Sequence, residues 1–175
     1  MLKFALISIP FLFAIGAVFH FIYKWSNNSR IVGLIAPVNE SIFEHSKLLL
    51  FPLILVYTIY YFYNSNNLYE NSYFLAMLVS IVVSIVTMFS FYYTYKGIIG
   101  NSYLWVDILD LLISIIVGQL VANHVYVYSD GINKYISISL IVFINLLYFY
   151  LTCKPIKIPL FFDNITKSYG INKKL

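Results

Sequence analysis

The sequence predicts an all-α fold, a polytopic bundle of about five transmembrane helices. Three observations carry that prediction. Of 175 residues, 61% are hydrophobic and only 10% charged, and the mean hydropathy is +0.84. An average soluble domain is about half apolar and about a quarter charged, so this chain has too few polar side chains to cover a water-facing surface. Disorder demands the opposite composition. The single cysteine, Cys153, excludes a disulfide framework and any Cys-based zinc motif.

A spanning helix needs roughly 20 mostly apolar residues, and five stretches meet that requirement. The first covers 4–23. Lys3 ahead of it also fits a signal peptide, but the apolar run continues to Tyr23 without a clear small-x-small cleavage site and carries His20, so it reads as a retained span. The segment 29–36 is too short to span and suits the interface. Pro37 then precedes a helix whose expected N-cap is Asn39. The second span covers 47–63 and ends at the turn chemistry of Asn64-Ser65-Asn66-Asn67. The third covers 73–95 and the fourth 103–126. The apolar run 111–122 of the fourth is too short alone, which draws Asp107 and Asp110 into the membrane region. The fifth covers 135–152, after the turn Ser129-Asp130-Gly131. Residues 1–153 thus form one transmembrane domain and 154–175 a basic cytoplasmic tail.

Basic residues set the orientation, because cytoplasmic loops carry the excess of Lys and Arg. One side receives Lys24, Arg30, Lys47, Lys96, Lys154, Lys157, Lys167, Lys173 and Lys174, the other only Lys3 and Lys134. The N-terminus is therefore expected outside and the C-terminus in the cytoplasm of a multi-pass cell-membrane protein. The tail lysines suit anionic lipid, at about 1 kcal/mol each near the surface. Nucleic-acid binding is not expected, since no recognition fold accompanies the short tail. The 17 Tyr and 15 Phe read as interfacial anchors and lipid-facing bulk.

Ionisable groups at membrane depth are costly, and each one is a candidate functional residue. His20, Glu40, Glu44, His45, Asp107 and Asp110 can reach similar depths near the cytoplasmic boundary. His124 stands 17 residues beyond Asp107, roughly 25 Å along a helix, so it belongs to the outer leaflet. In a helix, Glu40 and Glu44 share one face at i and i+4, as do Ser41 and His45. Lys47 is placed to pair with Glu44 or Glu40 on the surface.

The residues His20, Trp25, Pro37-Val38-Asn39-Glu40-Ser41-x-x-Glu44-His45-x-Lys47, Pro52, Ile158-Pro159-Leu160-Phe161-x-Asp163 and Tyr169-Gly170-Ile171 resemble a family of uncharacterised small bacterial membrane proteins. That resemblance implies the architecture but no reaction. Ser41-x-x-x-His45 is also similar to the Ser-x3-His motif of the seven-span ceramidase and adiponectin-receptor hydrolases, which hold a membrane-embedded zinc with histidines beside an Asp and a Ser. This chain has no His-x3-His.

Three functions compete. A metal-assisted hydrolase would place zinc on His20, His45 and Asp107, with Glu44 as general base and Ser41 and Asp110 completing the catalytic set on a small-molecule or lipid substrate. A proton- or ion-coupled transporter would use Asp107 and Asp110 as a relay, with Ser80, Ser84, Thr87, Ser114 and Gln119 bridging to the outer half. A non-catalytic scaffold would use the same charges as a structural network.

Overall fold

A computed structural model describes residues 1–171. Lys173 and Lys174 of the basic tail lie outside the described residues. The long helices are α1 (Leu2–Trp25), followed by short α2 (Arg30–Ile35) and α3 (Ile42–His45), then α4 (Lys47–Asn64), α5 (Glu70–Ile99), α6 (Leu104–Tyr128) and α7 (Lys134–Cys153). Taken with α3, α4 forms one candidate span of 26 residues, and all five long units are long and apolar enough to cross a membrane. The expected spans are recovered, each longer than its apolar run by one to four residues at an end. Polar termini such as Glu70 and Lys96 extend the helix past the hydrophobic stretch.

The long helices run alternately up and down. At one end Tyr95 of α5 donates to Asp107 of α6, and at the other Ser72 Oγ donates to the Ser129 carbonyl at 2.9 Å. Between them the α5 and α6 backbones approach closely at Gly118. A Cβ there would stand 1.9 Å from Ser84 Oγ and 2.9 Å from the Ser80 carbonyl. In lipid such small-residue contacts, not apolar burial, drive helix association. Gly118→Ala is expected to cost about 1–3 kcal/mol by overpacking, whereas Gly97→Ala, with nothing among the described residues within 4 Å of its Cβ position, should hold or raise the melting temperature. Thermal unfolding in detergent compares the two.

Several tyrosines are core residues rather than interfacial anchors. Tyr57 and Tyr73 are fully buried, Phe4 lies edge-on to Tyr57 at 5.0 Å, and the Tyr73 hydroxyl donates to the Tyr57 carbonyl at 2.6 Å. Each ring fills a bundle gap while its hydroxyl finds a partner. Tyr63, 85% exposed at the end of α4, keeps the expected surface placement.

Beyond α7 the chain forms a 3-10 turn (Pro159–Phe161) and a two-stranded antiparallel hairpin, β1 (Phe162–Asp163) with β2 (Ser168–Tyr169). Buried Asp163 organises its turn by accepting from Ile165 N at 2.8 Å and Thr166 Oγ1 at 2.6 Å. Phe161 packs on Phe43 at 4.4 Å, and the Gly170 carbonyl accepts from Asn39 Nδ2 at 3.0 Å. The tail hairpin therefore rests on the loop that leads into α3.

Candidate functional site

The motif segment folds differently at its start from the expected helix. Asn39 is not the N-cap. Its Oδ1 accepts from Ser41 N at 2.9 Å, closing a local turn, and the helix begins only at Ile42 with Ser41 as N-cap. Ser41 Oγ accepts from Glu44 N at 3.4 Å, one half of a capping box. In the full motif the Glu44 carboxylate would return to Ser41 N, but Asn39 already occupies that donor. Glu44 is thereby free to turn inward. Glu40 stays outside the helix, so the expected shared face of Glu40 and Glu44 does not form.

The two carboxylates consequently have different partners. Glu44 is buried: its Oε2 accepts from Lys47 Nζ at 2.7 Å and Val38 N at 3.0 Å, and its Oε1 from Thr152 Oγ1 at 3.3 Å. Lys47, expected on the surface, has a side chain 0% exposed. Its ammonium also donates to the Gly33 carbonyl at 2.8 Å and the Ala36 carbonyl at 3.4 Å, satisfying the carbonyls at the end of α2. A Cβ on Gly33 would lie 2.7 Å from Val38 Cγ1 and 3.0 Å from the Tyr23 ring, so only glycine lets α2 settle this close to the loop. One ion pair thus ties together α2, the motif loop, α4 and α7.

Glu40 turns the other way, to His45. Its Oε2 is 3.3 Å from His45 Nε2, and His20 from α1 brings its ring to 5.3 Å from the His45 ring. One ligating atom from each of His20, Glu40 and His45 lies within 4.8 Å of the others. The cluster is half-buried, with the His45 and Glu40 side chains 22% and 33% exposed. The His45 hydrogen bond, aided by the charges of His45, His20 and Lys24, holds the Glu40 carboxyl below the usual carboxylate range against the opposing effect of burial.

His45 Nδ1 lies 3.1 Å from the Ser41 carbonyl. A carbonyl only accepts, so Nδ1 carries the hydrogen and Nε2 is the atom directed at Glu40. Two lone pairs facing each other at 3.3 Å would repel. A cation between them, either a proton or a metal ion, turns that contact favourable. For zinc with bonds of about 2.0–2.1 Å in tetrahedral array, neighbouring donors stand roughly 3.3 Å apart, which is the His45–Glu40 spacing.

The remaining expected site residues divide. Asp107 accepts from the Tyr95 hydroxyl and lies within electrostatic range of His45 and Glu40, outside the three-residue set. Asp110 is buried and accepts from Ser114 Oγ at 3.1 Å. Ser41 is occupied as the helix cap and Glu44 by Lys47. His124 stands at the opposite end of α6, its ring 4.6 Å from Tyr128.

A family of unknown function (DUF6512) matches residues 1–171. The chain belongs to this family. No curated protein and no solved structure matches the chain. Membership in DUF6512 covers the whole described architecture, motif loop and tail hairpin included, and attaches no activity to it.

Sequence reasoning counted Glu40 among the candidates at membrane depth but gave the carboxylate place beside His20 and His45 to Asp107, whereas the structure brings Glu40 to them. The signal was present in Ser41-x-x-Glu44, a capping-box pattern that starts the helix after Glu40 rather than before it. Tyr95, the partner of Asp107, had no local signal at all.

Proposed function

We propose that His20, Glu40 and His45 hold a divalent transition metal, zinc foremost, and that the protein uses it for hydrolysis at the membrane boundary. The observation that carries this reading is the convergence of the His20 imidazole from α1 with the Glu40 carboxylate and His45 imidazole of the motif segment, with His45 Nδ1 engaged by a backbone carbonyl. Such an outer bond fixes the tautomer that leaves Nε2 free to ligate. Three protein ligands with partial solvent access match the catalytic class of zinc site, which keeps a position for water. Bound zinc supplies Lewis acidity and a nucleophilic water near neutral pH.

In this reading Glu40 takes the carboxylate place first expected for Asp107. Asp107, within range of the cluster and held by Tyr95, becomes the proton-accepting group. Ser41 and Glu44 position the loop. The likeness to the Ser-x3-His hydrolases supports the reaction class, and an ester or amide of a membrane amphiphile is the substrate class that such a depth favours. The excess of basic residues at this end supports a cytoplasmic location, with exposed Lys154, Lys157 and Lys167 directed to anionic lipid.

The test is hydrolysis of a panel of fluorogenic acyl esters and amides by purified protein in mixed micelles. Activity that a chelator abolishes and zinc restores is the expected result. Activity indifferent to chelation, or none across the panel in zinc-loaded protein, removes the hydrolytic reading.

A further inference from the structure

A second set of polar side chains lies away from that cluster, inside the bundle. Asp110 on α6 is 1% exposed, and among the described residues no Lys, Arg or His forms an ion pair with it. Its hydrogen bond is from Ser114, one turn further along α6. The next turn is Gly118, and the Ser84 hydroxyl of α5 points into the space its missing side chain leaves. Ser84 is fully buried, and among the described residues its Oγ has no hydrogen-bond partner. One turn along α5, Ser80 Oγ accepts from Gln119 Nε2 at 3.4 Å, and Gln119 Oε1 accepts from the Tyr57 hydroxyl at 3.2 Å. One turn beyond Tyr57 on α4, the Tyr61 hydroxyl donates to Glu70, which pairs with Lys134 at 2.5 Å at the opposite end of the bundle.

Along the helices these groups follow in order from Glu70 and Tyr61, through Tyr57, Gln119, Ser80 and Ser84, to Ser114 and Asp110. We propose that α4, α5 and α6 form a proton path across the membrane, entered at Tyr61 and Glu70 and received by the Asp110 carboxylate. Positions four residues apart on a helix are about 6 Å apart along its axis. Two waters in series, with hydrogen bonds of about 2.8 Å, cover that interval. Buried hydroxyls are satisfied by protein or by ordered water, so Ser84 marks the place for such a molecule. Small-residue packing accounts for Gly118 and the serines. It does not account for an unpaired carboxyl at membrane depth or for an orphan hydroxyl, both of which are costly unless used.

Each hydroxyl or water accepts one proton and passes another, so no bond order or oxidation state changes along the line. Gln119 joins the Tyr57 and Ser80 hydroxyls without carrying the proton, which crosses directly when Tyr57 turns its O–H from Gln119 Oε1 to Ser80 Oγ, a second partner within its reach. Asp110 takes up the arriving proton and releases it toward Asp107 and the aqueous phase. The titratable groups at this end of the bundle are Asp107 on the same helix, His45 on α3, Tyr95 on α5 and His20 on α1. Net movement is one positive charge per passage.

The test uses the full chain in potassium-loaded liposomes with an entrapped pH dye and a chelator present. Valinomycin sets an inside-negative potential. The expected result is acidification faster than in protein-free vesicles, reduced at least tenfold in Asp110→Asn and severalfold in Ser84→Ala, and retained in His124→Ala. Ser84→Ala removes a hydroxyl without adding bulk and carries the test if Asp110→Asn does not fold. Flux no faster than in empty vesicles, flux unchanged by both substitutions, or flux that requires sodium overturns the proposal. The chelator separates this outcome from the metal reading, since a proton path needs no metal.

Discussion

Lys47→Met is expected to be the most destabilising single substitution in the chain. Its ammonium is fully buried and serves the Glu44 carboxylate and two carbonyls at the end of α2. Removing it strands a buried negative charge and leaves those carbonyls without their donor. Breaking a buried pair from one side costs about 3–5 kcal/mol, a large share of the roughly 5–15 kcal/mol that holds a typical domain together. Replacing both partners, as in Glu44→Gln with Lys47→Met, should recover part of the loss, because a buried ion pair exchanged for groups of similar volume is often nearly neutral. Melting temperatures of the two single variants and the double variant in detergent give the coupling directly. A Lys47→Met protein that melts with the wild type would remove the pair from its structural role.

The pair also explains where the sequence could be read and where it could not. The five spans were legible because membrane crossing is a matter of length and apolarity, both local properties. The inward turn of Lys47 was not, because a lysine at a span's edge ordinarily snorkels to the interface. What draws it inward is the pair of carbonyls at Gly33 and Ala36, delivered by a separate short helix. Contacts of this kind join distant positions: Asn39 with Gly170 and Glu44 with Thr152 lie more than 100 residues apart. Tyr57 and Tyr73 were obscured for a related reason. In helices apolar on every side, periodicity does not separate the face toward lipid from the face toward protein.

At the candidate site, composition and depth put His20 and His45 among the candidates, while the approach of Glu40 to them depended on one turn of backbone. Asn39 takes the Ser41 amide, Glu44 is released toward Lys47, and Glu40 is left to face His45. Asn39 therefore acts on the cluster without touching it.

His45→Ala and Glu40→Gln are expected to give the largest functional losses. Each removes a donor from the proposed three-ligand set, and the resulting fall in metal affinity should exceed the roughly 10–100-fold that follows loss of an outer-shell partner. His124→Ala, at the far end of α6, should leave metal binding intact. In the proposed function His20, Glu40 and His45 close on a metal ion rather than on a proton. The most direct measurement is the metal content of purified protein after zinc loading and removal of free metal, compared across wild type, His45→Ala and His124→Ala. About one equivalent in wild type and in His124→Ala, with loss in His45→Ala, is the predicted result; wild-type protein that retains no metal would contradict it.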